Sequence, residues 1–376
     1  MSENRLMNRK PRVLQLCHDY KGPFRTVTRQ YAGCFADCDV RTVFLRGTKS
    51  TQLAESIPGE VDFLMLERGA LSGLKLDAAA QLETLIGSEV PDIVIAHRYK
   101  PFYLSMLLNR RMELGLVLGV MHEYGFLRRR TRSFFSRFWG DNVYLIGVSE
   151  PVCEEIRQAQ PRLSGRVHQV PHAIEAGTLL DSVSARHQLG VPLGTYCYGV
   201  IGRLVHKKNH ELLINALARL DDHSVLAIIG GGELEKDLVA QAARLGLAER
   251  VIFCGHHDDA RTLLKAFDSF VLPSTEEEAF GMVLLEAMAA SVPVLTSDAP
   301  GPASVVGDTA RMFRCGNLED LTEQMKQMQS LSQPDERELT GLALDRLGAR
   351  FSLAAQRRKI RNLPMVVQLA PESTGK

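Results

Sequence analysis

"TYCYGVIGRLVHKKNHELLINALARL", residues 195–220, decides how the second half of this chain folds. Its opening run is apolar almost throughout and too short for a helix, so it reads as a strand buried on both faces. A cationic loop follows, and from about 209 to 219 the apolar residues recur at helical spacing. The same unit then repeats. Strands read at "SVLAIIG", "RVIFCG", "SFVLPS" and "VPVLTSD", with helices at about 232–245, 259–267 and 281–290. Such alternation implies right-handed βαβ units in a doubly wound parallel sheet.

The first half carries a similar series. "RVLQLC", "VRTVFL", "VDFLML", "DIVIAH", "GLVLGVMH" and "VYLIGVS" read as strands, with helical patterns at 100–113 and 150–158, and "GRVHQVPHAIEAG" closes the series. The expected fold is therefore α/β, with two Rossmann-like doubly wound domains at 1–177 and 178–353. A C-terminal segment from about 354 to 376 is expected to pack back on the first domain, and the stretch beyond Leu363 to be loosely ordered. Open sheets of this kind take ligands at the carboxyl ends of their strands, so a cleft between two facing domains is the expected site.

Composition narrows the function. At 376 residues, 45% apolar and 24% charged, the chain can build sizeable cores, and a net charge of +1 speaks against a dedicated nucleic-acid binder. No apolar run is long enough to span a bilayer, and "MSENRLMNRKPR" lacks the apolar stretch of a signal peptide, so a cytoplasmic protein is expected. The seven cysteines form no C-x-x-C; several lie in strand-like runs as small hydrophobes, and neither disulfide nor zinc site is expected.

The strand-end loops of the second domain hold the chemistry. "RLVHKKNH" puts Arg203 and Lys208 on one loop, a planar fork and a point charge that suit a diphosphate. The Gly231–Gly232 pair reads as a phosphate loop or, equally, as a tight turn. In "EEEAFGMVLLEAMAA", residues 276–290, a helix starting near Gly281 offers free N–H groups and a positive dipole end to an anion. Glu278 precedes that end. Glu286 lies about one and a half turns inside it, in a run too apolar for an ionised side chain without a partner. Both carboxylates suit sugar hydroxyls.

Together these residues resemble the retaining glycosyltransferases of family 4 (glycosyl transferases group 1), which have the GT-B fold. The resemblance rests on "EAFGMVLLEAMA", with Glu278 and Glu286 at the spacing of the family's Glu-x7-Glu, and on "GRLVHKK", with a lysine five residues after the arginine. "FCGHHDDARTLLKAFDSFVLPS" and "VPVLTSDAPG" extend it through residues 198–310. The resemblance implies that Arg203 and Lys208 hold a nucleotide diphosphate. Backbone N–H groups near Phe280, Gly281, Met282 and Val283 would then contact sugar and phosphate, Glu278 a donor-sugar hydroxyl and Glu286 the ribose.

Over the first domain the pattern thins. Gly22, expected to approach the donor diphosphate, stands alone, followed by Pro23, where the family has a glycine-rich loop after its first strand. His122, ending "GLVLGVMH", matches the family's histidine near the donor sugar, while His97 reads as structural. "VPHAIE" replaces the family's "PNGID", so His172 and Ala173 stand for Asn and Gly at the hinge.

A further stretch, "GFLRRRTRSFFSRFWG" at 125–140, has five arginines, no acid and several aromatics. Arg128, Arg129, Arg130, Arg132, Phe134, Phe135 and Trp139 suit an anionic bilayer leaflet or a lipid-linked acceptor. RNA, a protein partner, or arginine stems covering the core are the other readings.

The expected activity is retaining, hexosyltransferase-type transfer (EC 2.4) from a nucleotide sugar, a UDP-sugar, to a hydroxyl of a cell-envelope acceptor such as lipopolysaccharide core or another glycolipid. No cofactor beyond the co-substrate is expected, and no metal, since no Asp-x-Asp stands in a metal-binding context. The alternatives are a UDP-sugar epimerase of the same fold and a non-catalytic sugar-nucleotide-binding scaffold. A Rossmann dehydrogenase is disfavoured because no G-x-G-x-x-G follows the first strand.

Overall fold

The computed structural model describes residues 9–175 and 177–371. The chain divides into two units: unit 1 comprises Met1–Ala173 and Leu353–Lys376, and unit 2 comprises Ile174–Ser352.

Unit 1 is built on seven parallel strands: β1 (Arg12–Cys17), β2 (Asp39–Phe44), β3 (Glu60–Phe63), β4 (Ile93–His97), β5 (Leu116–Met121), β6 (Val143–Gly147) and β7 (Val167–Gln169), in the order β3-β2-β1-β4-β5-β6-β7. Every residue of β4 and β5 is buried, which is why these strands read as unbroken apolar runs. "VDFLML" pairs only as far as Phe63; Met65, two residues on, has φ 49° and leaves the extended region. The three-residue strand β7 is too short to show a period in sequence.

From Leu363 to Pro371 the chain departs from the loose order expected, while residues 372–376 of that expectation lie outside the described residues. It forms the helix Pro364–Leu369, with Pro364 in the first turn, where its missing N–H costs nothing, and Val366 fully buried. The helix before it, Leu353–Arg361, is tied to unit 1 by Gln356 Nε2 donating to the Pro171 carbonyl (2.9 Å) and by the buried Arg361 guanidinium on Asp37 (2.9 Å).

Unit 2 has six parallel strands: β8 (Tyr196–Ile201), β9 (Ser224–Ile229), β10 (Val251–Gly255), β11 (Ser269–Leu272), β12 (Val294–Ser297) and β13 (Arg311–Phe313), in the order β10-β9-β8-β11-β12-β13. Tyr198, Leu213, Leu217, Ile228, Leu321 and Met325 fill its core, and the Tyr198 hydroxyl donates to the Met325 carbonyl at 2.7 Å. The expected helix at 259–267 is a 3-10 segment, Ala260–Ala266. At the ends of the unit, the Ile174 N–H donates to the Phe351 carbonyl (2.8 Å), and Ile174 bridges Ser352 in parallel.

Each sheet reverses its winding once, between β1 and β4 in unit 1 and between β8 and β11 in unit 2. The crevice beyond the carboxyl ends of such a strand pair is where open α/β sheets take their ligands.

Candidate donor site and histidine row

The loops after β8 and β11 meet at the switch point of unit 2. After β8 the chain passes Gly202 and Arg203 into a short 3-10 turn, His206–Lys208, and after β11 it runs through Ser274 and Glu278 to Gly281. The Thr275 N–H donates to the Lys207 carbonyl at 2.9 Å and joins the two loops. Across this junction Lys208 Nζ stands 2.6 Å from Glu278 Oε2, with the Ser274 hydroxyl 3.4 Å from the same oxygen. Glu278 is buried. Burial alone would raise its carboxyl pKa, but Lys208, then Lys207 and Ser274, outweigh it and hold the group below its ordinary range. Arg203 is exposed and makes no side-chain hydrogen bond or ion pair to the described residues.

Gly281 caps the helix Met282–Ala289 in the left-handed region (φ 88°), which a side chain would disfavour. The first N–H groups of a helix have no acceptor within it, which leaves those of Met282 and Val283 at this loop. Phe280, just before, is buried. Glu286 sits within the helix, half-buried, and no described residue pairs with its carboxylate. Burial pushes its pKa up to about 7, against the opposing pull of Arg261.

Two glycine positions shape this site. Gly231 accepts the Leu204 N–H at 3.0 Å, and a Cβ on Gly232 would come within 2.4 Å of the Leu204 carbonyl oxygen. The pair therefore brings two backbones together beneath Arg203. Gly301 plays a part that the sequence reading missed. A Cβ there would stand 2.0 Å from the Glu278 carbonyl oxygen, so a bare backbone is what lets the helix Pro300–Val306 approach the glutamate loop.

In unit 1, Gly22 lies on an exposed turn after β1 with open space around it (φ 57°), and nothing there requires a close approach. His122, just past β5, belongs instead to a row of groups. Gln15 Nε2 donates to the Thr28 carbonyl and the Thr42 hydroxyl, both at 3.1 Å, which turns Oε1 to His97 Nε2 at 3.2 Å. His97 Nδ1 is 3.2 Å from His122 Nε2, and His122 Nδ1 is 3.4 Å from His172 Nε2. The rings are near parallel, 5.3 and 5.2 Å between centroids. With nitrogens this close, that spacing means edge-to-edge rings and not stacked faces.

The tautomers follow. An amide oxygen only accepts, so His97 carries its proton on Nε2. A neutral His97 then accepts at Nδ1, His122 donates from Nε2 and accepts at Nδ1, and His172 donates from Nε2. Burial keeps the row uncharged: His97 is pushed down to about 3 and His172 to about 4. His122 falls well below its ordinary value, by burial first and then through its two neighbours. His97 is thus the link between Gln15 and His122, and both nitrogens of His122 are engaged.

The 125–140 stretch is divided by the fold. Arg129, Arg130, Arg137, Phe134, Phe135 and Phe138 are exposed, the three rings by 53%, 58% and 59%. Arg128 is exposed too, but paired with Glu155 at 2.9 Å. Two expected surface residues turn inward. Trp139 packs against Phe102 (5.0 Å) and Phe126, and the Arg132 guanidinium lies 3.7 Å over Tyr99, because flat groups here find aromatic partners from the helix Tyr99–Met112.

Comparison with known proteins adds to this geometry. Residues 183–339 match the family model described as glycosyl transferases group 1. Over 145 residues the chain is 34% identical to the lipopolysaccharide core biosynthesis glycosyltransferase LpsE of Rhizobium meliloti, covering 38% of this chain and 42% of that protein. Over 126 residues it is 32% identical to the lipopolysaccharide core biosynthesis mannosyltransferase LpsB of the same organism, covering 31% and 36%. The chain thus spans about two fifths of the length of these relatives. A glycosyltransferase from Rickettsia africae superposes with a TM-score of 0.83 at 17% identity, over 97% of this chain and 100% of the other. Anabaena HepE in complex with UDP-glucose superposes with 0.79 at 22% identity, over 93% and 98%. The two doubly wound sheets are those of the GT-B fold.

Proposed function

We propose that the chain, whose residues 183–339 match the model of glycosyl transferases group 1, transfers a hexose from a UDP-sugar to a hydroxyl of a cell-envelope acceptor, with retention at the anomeric carbon (EC 2.4). The observation that carries this reading is the 2.6 Å Lys208–Glu278 pair beside the start of the helix Met282–Ala289. A cation and free N–H groups suit the diphosphate, and a carboxylate held ionised suits a sugar hydroxyl.

As the glycosidic bond breaks, negative charge grows on the departing diphosphate. Arg203, Lys208 and the helix N-terminus meet it in place, so catalysis comes from positioning and leaving-group stabilisation. Because these groups supply the positive charge, no metal is assigned. Glu278 holds a hydroxyl of the donor sugar and Glu286 the ribose hydroxyls. To His122 we assign a catalytic part toward the donor sugar, in which a sugar hydroxyl replaces the longer of its two bonds, to His172.

The named relatives support a lipopolysaccharide-core acceptor, and the UDP-glucose complex supports a uridine nucleotide donor. Among the described residues no helix is long and apolar enough to cross a membrane. We assign peripheral contact with the anionic cytoplasmic face of the inner membrane to Arg129, Arg130, Arg137, Phe134, Phe135 and Phe138.

The test is incubation with UDP- and GDP-sugars and a lipopolysaccharide-core acceptor in the presence of EDTA, with the product anomer read by NMR. A UDP-sugar is expected to react with retention. Loss of activity in EDTA with rescue by Mn²⁺ rejects the metal-free assignment, sugar interconversion without acceptor makes the protein an epimerase, and binding without turnover makes it a scaffold.

A further inference from the structure

The cations that unit 1 gathers at its switch point have no part in the donor reading. Arg98 and Lys100 flank Tyr99, directly after β4, where the helix Tyr99–Met112 begins. Lys75 and Arg132 come to the same helix from elsewhere in the chain. Lys75 Nζ stands 4.5 Å from the centroid of the Tyr103 ring and the Arg132 guanidinium 3.7 Å from that of Tyr99, the two tyrosine rings being 6.0 Å apart. Arg98 lies 3.6 Å over Phe24. All four cations are half-buried.

Three of them lack a carboxylate. Lys75 donates to the Gly73 carbonyl (2.7 Å), Arg132 to the Phe126 carbonyl (3.3 Å), and Lys100 to no described residue. Asp19, whose charge does act on Arg98, is occupied by His18 at 2.7 Å and by the Lys21 N–H at 3.1 Å. Lys100 links the two ends of the group, acting on His18 together with Arg98 and on Lys75 together with Arg132. Burial, then those two like charges, hold the Lys75 ammonium below its ordinary pKa.

Exposed cations would swing apart, but rings hold three of these in place. Lys75 and Arg98 also take positive φ values, 57° and 70°, at a conformational cost for residues with side chains. Three cations without a described carboxylate, gathered about the helix that follows β4, suit an anion at the carboxyl end of that strand.

We propose that Lys75, Arg98, Lys100 and Arg132 form a subsite for a phosphate group borne by the acceptor, an assignment that rests on the transferase reading. Two forked guanidinium groups and two point-like ammonium groups match a dianion with three terminal oxygens, whereas a carboxylate's two oxygens would be used up by one guanidinium.

The test uses the full chain saturated with UDP, which fills the site in unit 2, and glucose 6-phosphate as the probe. Calorimetric titration is expected to show binding of glucose 6-phosphate and not of glucose. Affinity should fall at least tenfold in Lys100→Gln and in Lys75→Gln, with UDP affinity within twofold of wild type. The Lys100→Gln variant should melt at or above the wild-type temperature, because it relieves repulsion; a lysine kept for structure would lower it. Equal binding of glucose, equal binding of glucuronate, displacement of UDP, or unchanged affinity in both variants overturns the phosphate subsite. A chain that binds glucose 6-phosphate but not UDP keeps the subsite and removes the transferase reading.

Discussion

At the switch point of unit 2 a buried carboxylate and an ammonium stand 2.6 Å apart, whereas at that of unit 1 three neutral imidazoles lie edge to edge, with Arg98 acting on two of them. The first six strands of unit 1 follow the same order as the six of unit 2, so the difference lies in the loops. In unit 2 the buried Glu278 carboxylate is balanced within the protein by Lys208. In unit 1 the three imidazoles are held uncharged, and of the half-buried cations Lys75, Lys100 and Arg132 have no carboxylate partner among the described residues. One topology thus supports two electrostatic designs, a balanced pair and an open account.

The comparison breaks most readily at Lys208. If the pair is both structure and catalyst, Lys208→Ala lowers kcat/KM by about 30- to 1,000-fold, about 2–4 kcal/mol of transition-state stabilisation. It also lowers the melting temperature, because a buried carboxylate loses its partner. Arg203→Ala, at an exposed position, is expected to lower kcat/KM over the same range with the melting temperature unchanged. Wild-type rates in both variants would remove the diphosphate assignment.

A backbone change sharpens the picture next. Gly301→Ala puts a Cβ where the Glu278 carbonyl already stands and is expected to cost about 1–3 kcal/mol in denaturant unfolding, with weaker UDP binding. Binding at wild-type strength would show that the glutamate loop need not hold its place.

For unit 1 the corresponding probe is Gln15→Leu, which strands the buried His97 N–H and should cost about 1–3 kcal/mol of stability. In the ¹⁵N spectrum of the imidazoles, His122 should then lose its single Nε2-protonated form. An unchanged spectrum would refute the tautomer order.

The smallest effect is a pH dependence. Glu286 has a folded pKa near 7, above its unfolded value, so its burial disfavours the ionised form and its contribution to stability falls as pH rises through about 4.5 to 7. Ribose hydroxyls favour the carboxylate, so UDP affinity should rise about tenfold from pH 6 to pH 8 and stay flat in Glu286→Gln. His97 and His172, at about 3 and 4, do not titrate in that window. A slope that survives in Glu286→Gln would assign the titration elsewhere.

Much of unit 2 was legible because the groups we assign to the donor site, Arg203 to Glu286, lie in one run of alternating strands and loops whose spacing survives in one dimension. The histidine row was not. Gln15 lies inside β1, His97 ends β4, His122 follows β5 and His172 lies past β7, and each alone reads as an ordinary core or strand-end residue. Only the tertiary fold lines them up, and only the amide's direction orders their protons. Gly301 was hidden for a similar reason, since its neighbour lies more than twenty residues away. Arg132 and Trp139 looked like surface because a basic, aromatic composition does not say which ring finds a partner inside.

The pinned ends at Ile174 and Ser352 carry a consequence for how such proteins diversify. Unit 2 leaves and rejoins the chain at residues that pair with each other, so exchange of one contiguous stretch of coding sequence could replace the whole of it. Unit 1, drawn from the chain before and after that stretch, would keep its sequence.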